Sequence, residues 1–176
     1  MTEATLTPSR LWKGMTAALR LDAARAFWDD DEATDDQVQA ALLIAQQKKF
    51  RAKTVIGLDI ERKARHLASL ASLPEAVAAR VLVVYHLAAQ RPMMGAFLDA
   101  LGIAHENGLI KDDKVVPEPA KLGPAAAHIA GQFPADVVLL YLRTLLCQDP
   151  QTWGGLAAIV EQLEARASSP KPPASN

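Results

Sequence analysis

The sequence predicts an all-α fold, a single compact bundle of about seven or eight helices. Half of its 176 residues are apolar, mostly Ala, Leu and Val, with only nine aromatic residues. This composition favours closely packed helices. Helix-start signals also recur, chiefly prolines suited to the first helical position. Together they predict helices at roughly 8–30, 35–51, 56–71, 73–90, 92–101, 120–132, 134–147 and 150–167.

The first two predicted helices flank an acidic turn. Residues 29–36 contain six Asp and Glu side chains, and Thr34 to Gln37 fits a capping box that starts the second helix. Apolar residues at helical spacing predict one buried stripe on each of the second and third helices. These stripes are Val38, Ala41, Leu42 and Ala45 on the second, and Ile60, Ala64, Leu67, Ala68 and Ala71 on the third.

Two later segments, 81–85 and 137–142, are apolar on all sides, which is typical of buried central helices. Their surroundings suggest a weak internal two-fold repeat of helical units, although an Ala/Leu-rich chain punctuated by prolines also matches itself by chance. The landmarks that match are His66 with His128, Pro74 with Pro134, Tyr85 with Tyr141, and Pro92 with Pro150.

Helical periodicity stops between residues 103 and 119, which predicts an irregular loop. Asn107-Gly108 is a turn signal there, and the pairs Leu109-Ile110 and Val115-Val116 predict a very small hairpin across the intervening Lys-Asp-Asp-Lys. The segment 168–176 is rich in Pro and Ser and predicts a disordered tail. The helical domain is therefore expected to span residues 1–167.

Composition also bounds the function. The formal net charge is −1, so the chain as a whole does not attract polyanions. The single cysteine, Cys147, excludes an intramolecular disulfide and a cysteine zinc cluster. No apolar run approaches the ~20 residues of a membrane-spanning helix, and the N-terminal segment lacks a signal-peptide core. We expect a cytoplasmic protein with no membrane partner.

Positive charge is concentrated locally, because seven of the nineteen Lys and Arg residues fall between Lys48 and Arg65. If the first two helices form an antiparallel hairpin, two further cations lie at the same end, and a polyanion site is one interpretation of the cluster. A solvated helix junction, with ion pairs from Asp59 to Lys63 and from Glu61 to Arg65, is the favoured interpretation. The candidate polyanion-binding residues are Arg10, Lys13, Lys48, Lys49, Arg51 and Lys53.

Two polar groups are candidates for chemistry. Tyr85 and His86 adjoin on a central helix, and His105 with Glu106 opens the irregular loop. Neither pair has the spacing of an established metal site, and the chain carries no Gly-rich phosphate loop and no nucleophile elbow. We therefore expect no metal and no cofactor, and catalysis is the less favoured reading.

The remaining expectation is an interaction or regulatory protein, acting on a protein partner or by self-association. The apolar helix at 92–101 is one source of such a surface, through Met93, Met94, Phe97 and Leu98. Core packing explains the same four residues. Polyanion binding through the basic cluster and an enzyme pocket near Tyr85, His86 or the loop 104–118 are the alternatives.

Overall fold

The structure is a computed structural model that describes residues 6–112 and 114–168. Within these ranges lie eleven helices and one two-stranded hairpin, so the all-α prediction is confirmed. Most of the predicted tail, 169–176, lies outside the described residues. The elements are α1 (Pro8–Gly14), α2 (Ala17–Asp29), α3 (Thr34–Lys48), α4 (Ala52–Ile56), α5 (Ile60–Ala68), α6 (Glu75–Ala89), α7 (Arg91–Leu101), β1 (His105–Glu106), β2 (Leu109–Ile110), α8 (Pro119–Ala130), α9 (Ala135–Gln148), α10 (Pro150–Trp153) and α11 (Leu156–Ser168).

The chain divides into two compact units, Met1–Arg91 and Pro92–Asn176. In the first unit α2 packs against α5 and α6, α1 packs against α6, and α3 packs against α4, α5 and α6. The Nε1–H group of Trp12 donates a hydrogen bond of 3.0 Å to the Leu70 carbonyl. The largest fully buried side chains of this unit are Trp12, Phe27, Ile44, Leu67, Leu70 and Leu82.

The predicted helix over 8–30 is two helices, because the chain becomes extended at Met15 and Thr16. The Thr16 side chain accepts a hydrogen bond from the Leu19 N–H and caps α2. Arg20 donates to the carbonyls of Trp12 and Lys13 at the open end of α1. These caps stabilise a break that the apolar spacing does not reveal.

The predicted antiparallel pairing of the first two helices is wrong, because α2 packs chiefly on α5 and α6. Arg25 of α2 binds both carboxylate oxygens of Glu61 on α5, at 2.8 and 2.9 Å. Arg65 also binds Glu61, at 3.0 Å, as its spacing predicted. Hydrogen bonds from Arg25, and next from Arg65, lower the pKa of Glu61 to about 2. Asp59 pairs with Arg62 at 3.3 Å.

In the second unit α9 packs against α8, α10 and α11. The Phe97 ring stands perpendicular to the Tyr141 ring at 5.7 Å and lies 6.0 Å from Trp153. The predicted interaction surface on α7 is not exposed, because Met93, Met94, Phe97 and Leu98 are all buried. An all-apolar helix face at this position therefore builds core.

The loop 103–119 contains a hairpin, but its two strands are not the two segments that were predicted to pair. Leu109–Ile110 pairs with His105–Glu106, not with Val115–Val116. Asn107 and Gly108 form the connecting turn, and both have positive φ angles, of 49° and 84°. This two-residue geometry matches the twist of adjacent strands, so the turn signal itself determines the pairing.

The landmarks of the predicted repeat have partly similar surroundings. Pro74 and Pro134 precede α6 and α9 with φ angles of −57° and −56°. His66 and His128 both lie in the last turn of a helix, but the ring of His66 contacts Phe50, whereas Nε2 of His128 contacts Gln132. The repeat stays a prediction.

Candidate interaction surface

His86 is a core histidine in the middle of the first unit. Its side chain is 3% exposed, its Nδ1 lies 2.7 Å from the Leu82 carbonyl, and its ring stands edge-to-face with Tyr85 at 5.3 Å. A carbonyl only accepts, so Nδ1 carries the proton. Burial lowers the pKa of His86 to about 4, and the ring is neutral at pH 7. The Tyr85 hydroxyl accepts a hydrogen bond from Gln90.

His105 belongs to the second unit, so the structure places the two predicted polar pairs in different units. Its Nδ1 accepts the Gly108 N–H at 3.1 Å, and its Nε2 lies 3.0 Å from an Asp99 carboxylate oxygen. The Nδ1 contact therefore braces the turn of the hairpin, and the Nε2 contact holds the hairpin to α7. The neighbouring Glu106 side chain is exposed and lies 3.9 Å from the Lys111 ammonium group. This arrangement explains His105 as a structural clamp.

A cleft of about 340 Å³ in the first unit was not predicted from the sequence. Arg80 lies beside it and contacts Asp30 at 3.4 Å and Asp36 at 3.9 Å. Arg91, another lining residue, donates to the Leu87 carbonyl. Both arginines that line the cleft therefore already contact other groups of the first unit. The lining residues are Ala26, Asp29, Asp30, Glu32, Arg80, Val84, Leu87, Ala88 and Arg91.

The predicted basic cluster forms the turn between α3 and α4, which we call the basic turn and define as residues 48–53. Lys49 adopts the left-handed conformation that ends α3. The four cations of the turn are exposed and form no ion pair within the described residues: Lys48, Lys49, Arg51 and Lys53. Phe50 lies between them, 43% exposed, with its ring edge against His66.

Arg10 and Lys13, the other two predicted polyanion ligands, are exposed residues of the short helix α1. α1 packs against α6, not along α3. The pairing that was predicted to bring them beside the basic turn is therefore absent from the fold. Of the six predicted polyanion ligands, the four in the basic turn lie together in one segment of the chain, and the two in α1 do not belong to it.

The outward face of α3 is apolar. The side chains of Val38 and Leu42 are 46% and 54% exposed, whereas Ala40, Ala41 and Ala45 are buried. Residues four apart lie on the same side of a helix, so Val38 and Leu42 form one patch. The buried side of α3 therefore consists of Ala40, Ala41, Ile44 and Ala45, and Val38 and Leu42 lie outside it.

At the start of α3 lies the acidic turn, which we define as residues 29–32. Asp30 contacts Arg80, whereas Asp29, Asp31 and Glu32 are exposed without an ion pair in the described part of the chain. Asp29 is the last residue of α2, where a negative charge opposes the helix dipole. Arg51 similarly precedes the first residue of α4. Neither charge stabilises its own helix.

We call the exposed residues along α3 the α3 face: the acidic turn before the helix, Val38 with Leu42 on it, and the basic turn at its end. α3 has fifteen residues, so its two charged ends are separated by about 22 Å. Sequence reasoning identified both charged segments but assigned Val38 and Leu42 to the core. Ala41 and Ala45 of the predicted stripe are buried, and the signal that was missed is that Ala40 and Ile44 extend the buried side away from Val38 and Leu42.

No protein family model, curated protein or solved structure matches this chain. Among the described residues, no helix has both the length and the hydropathy to cross a membrane. The described part of the chain also contains no group of three or more His, Cys, Asp or Glu side chains that could hold a metal ion together.

Proposed function

We propose that this chain is a protein-interaction module that binds through the α3 face. The observation that carries the proposal is the exposed pair Val38 and Leu42 between two unpaired charge clusters. Exposed apolar side chains that adjoin one another on a surface mark binding sites. Charged residues around an apolar centre are the usual anatomy of a protein interface.

The charges at the two ends support the same proposal. Asp29 and Arg51 each occupy a helix end at which their charge is unfavourable. Residues that break a local stability rule are concentrated at functional positions. Both lie in the charged turns that border the apolar patch, where they would contact a docked partner.

Nucleic acid or another polyanion is the second candidate, and the four unpaired cations of the basic turn favour it. Specific nucleic-acid readers usually add a recognition helix or stacking aromatics, and here Phe50 alone lies within the turn. The exposed acids at the other end of α3 would repel a phosphate backbone running along the face. Titrating a labelled oligonucleotide at low and moderate salt separates this candidate from the first.

The proposed function is tested by placing a photo-cross-linking amino acid at Leu42 in the cells that make the protein. We expect a covalent protein adduct at this position that is lost when Lys48→Glu and Arg51→Glu are added. The control position is Ala127, an exposed residue of α8, which is expected to give no adduct. Absence of any adduct at Leu42, or equal adducts at both positions, would contradict the proposal.

A further inference from the structure

The α3 face is complementary to itself when a second copy runs in the opposite direction. One end carries exposed Asp29, Asp31 and Glu32, and the other carries exposed Lys48, Lys49, Arg51 and Lys53. The apolar patch lies between these ends. An antiparallel arrangement places the acidic turn of each copy beside the basic turn of the other, so the dimer contains two such contacts.

The register follows from the apolar pair. If Val38 lies opposite Leu42 of the second copy, a two-fold axis passes midway between these two positions on the exposed side of α3, and Leu42 lies opposite Val38 of that copy. The acidic turn directly precedes α3 and the basic turn begins at its last residue, so this register places the acidic turn of each copy at the basic turn of the other. Unlike charges therefore meet at both ends of the helix pair.

We propose that the partner at the α3 face is a second copy of this chain, bound through antiparallel α3 helices in an isologous dimer. Two-fold pairing of one patch with itself is the commonest arrangement of homo-oligomers. The inference rests on the proposed function, since it names the occupant of the same surface. It also accounts for the charges at the acidic turn, which a polyanion partner leaves unexplained.

The expected association is weak. A pair of helices about 22 Å long buries less area than the ~1,600 Å² of a standard interface. Exposed ion pairs add little affinity but determine orientation. We therefore expect dimers at protein concentrations of roughly 10–500 µM, with dissociation favoured by salt, because screening shortens the range of the charge pairs.

The decisive experiment exchanges charges between the two turns and measures the mass of the purified full chain by sedimentation equilibrium. One variant carries Lys48→Glu and Arg51→Glu, and the other carries Asp29→Lys and Glu32→Lys. Each variant alone places like charges together at both ends, so we expect its dimerisation to weaken at least tenfold. Mixed in equal amounts, the two variants restore unlike pairs at both ends, and we expect a heterodimer of near wild-type affinity.

Circular dichroism of each variant shows whether it is folded, and recovery in the mixture requires folded protein. A wild-type chain that stays monomeric at about 500 µM in low salt would overturn the inference. So would a wild-type dimer whose two variants fail to combine. In either case the cross-linking experiment at Leu42 still decides the proposed function, because an adduct with a different protein supports the surface but not the second copy.

Discussion

His86 shows how burial sets the chemistry of a single side chain. The residue is 3% exposed to solvent, and the proton on Nδ1 of its ring is donated to the Leu82 carbonyl. The sequence predicted that this residue lies on a buried central helix next to Tyr85. It could not predict whether the ring is charged, because that depends on the surroundings that the fold creates.

The unfolding free energy is expected to decrease as the pH is lowered, because His86 is buried in its neutral form. Its pKa is about 4 in the folded chain, below the ordinary value of 6.5, so below pH 6.5 the unfolded chain binds a proton that the folded chain does not. This difference removes about 2 kcal/mol of unfolding free energy between pH 7 and pH 5, at ~1.4 kcal/mol per pKa unit. Urea titrations at the two pH values measure it.

The matched variants are His86→Gln, which removes the titrating ring, and His128→Gln at an exposed position of α8. We expect the first to reduce the loss between pH 7 and pH 5, and the second to leave it unchanged. Equal losses in all three proteins would show that His86 is not the group responsible.

At the scale of the element, α3 shows where a sequence pattern stops being informative. The predicted stripe was Val38, Ala41, Leu42 and Ala45. The structure buries Ala41 and Ala45 of that stripe together with Ala40 and Ile44, and it leaves Val38 and Leu42 about half exposed. Small side chains let neighbouring helices approach closely, so packing partners, and not hydropathy alone, decide which stripe faces the core. Those partners are α4, α5 and α6, whose positions the sequence pattern does not specify.

Exposure of the α3 face predicts that its apolar side chains are dispensable for folding. We expect Val38→Ser with Leu42→Ser to change the unfolding free energy of the dilute chain by no more than about 1 kcal/mol, since each surface substitution usually changes it by about 0.5 kcal/mol or less. Ile44→Ala on the opposite face of α3, at a fully buried site, is expected to cost about 2–5 kcal/mol. Chemical denaturation below the association range compares them. A double variant as costly as Ile44→Ala would mean that the α3 face is packed.

Caps and turns account for the other differences between expected and observed elements. Thr16 divides the first predicted helix, and Asn107 with Gly108 determines the hairpin register. Each of these signals is visible in the sequence, but its strength depends on contacts such as those of Arg20 with the α1 carbonyls. Helix existence was therefore more predictable than helix boundaries.

For the molecule as a whole, the formal net charge of −1 conceals a local separation of charge in the first unit. Acids and cations lie at opposite ends of one helix, with an apolar patch between them. Such a surface is neutral overall, so it neither attracts polyanions at long range nor repels a second copy. This balance favours association between identical chains over binding to a uniformly charged partner.

The central claim is that the chain associates through the α3 face, and a dilution series followed by amide NMR tests it most directly. We expect concentration-dependent shift changes at residues 29–51, and none at the hairpin 105–110. The Val38→Ser with Leu42→Ser variant is expected to lose these changes. Shift changes that cluster elsewhere, or a wild-type spectrum independent of concentration up to about 500 µM, would contradict self-association through the α3 face.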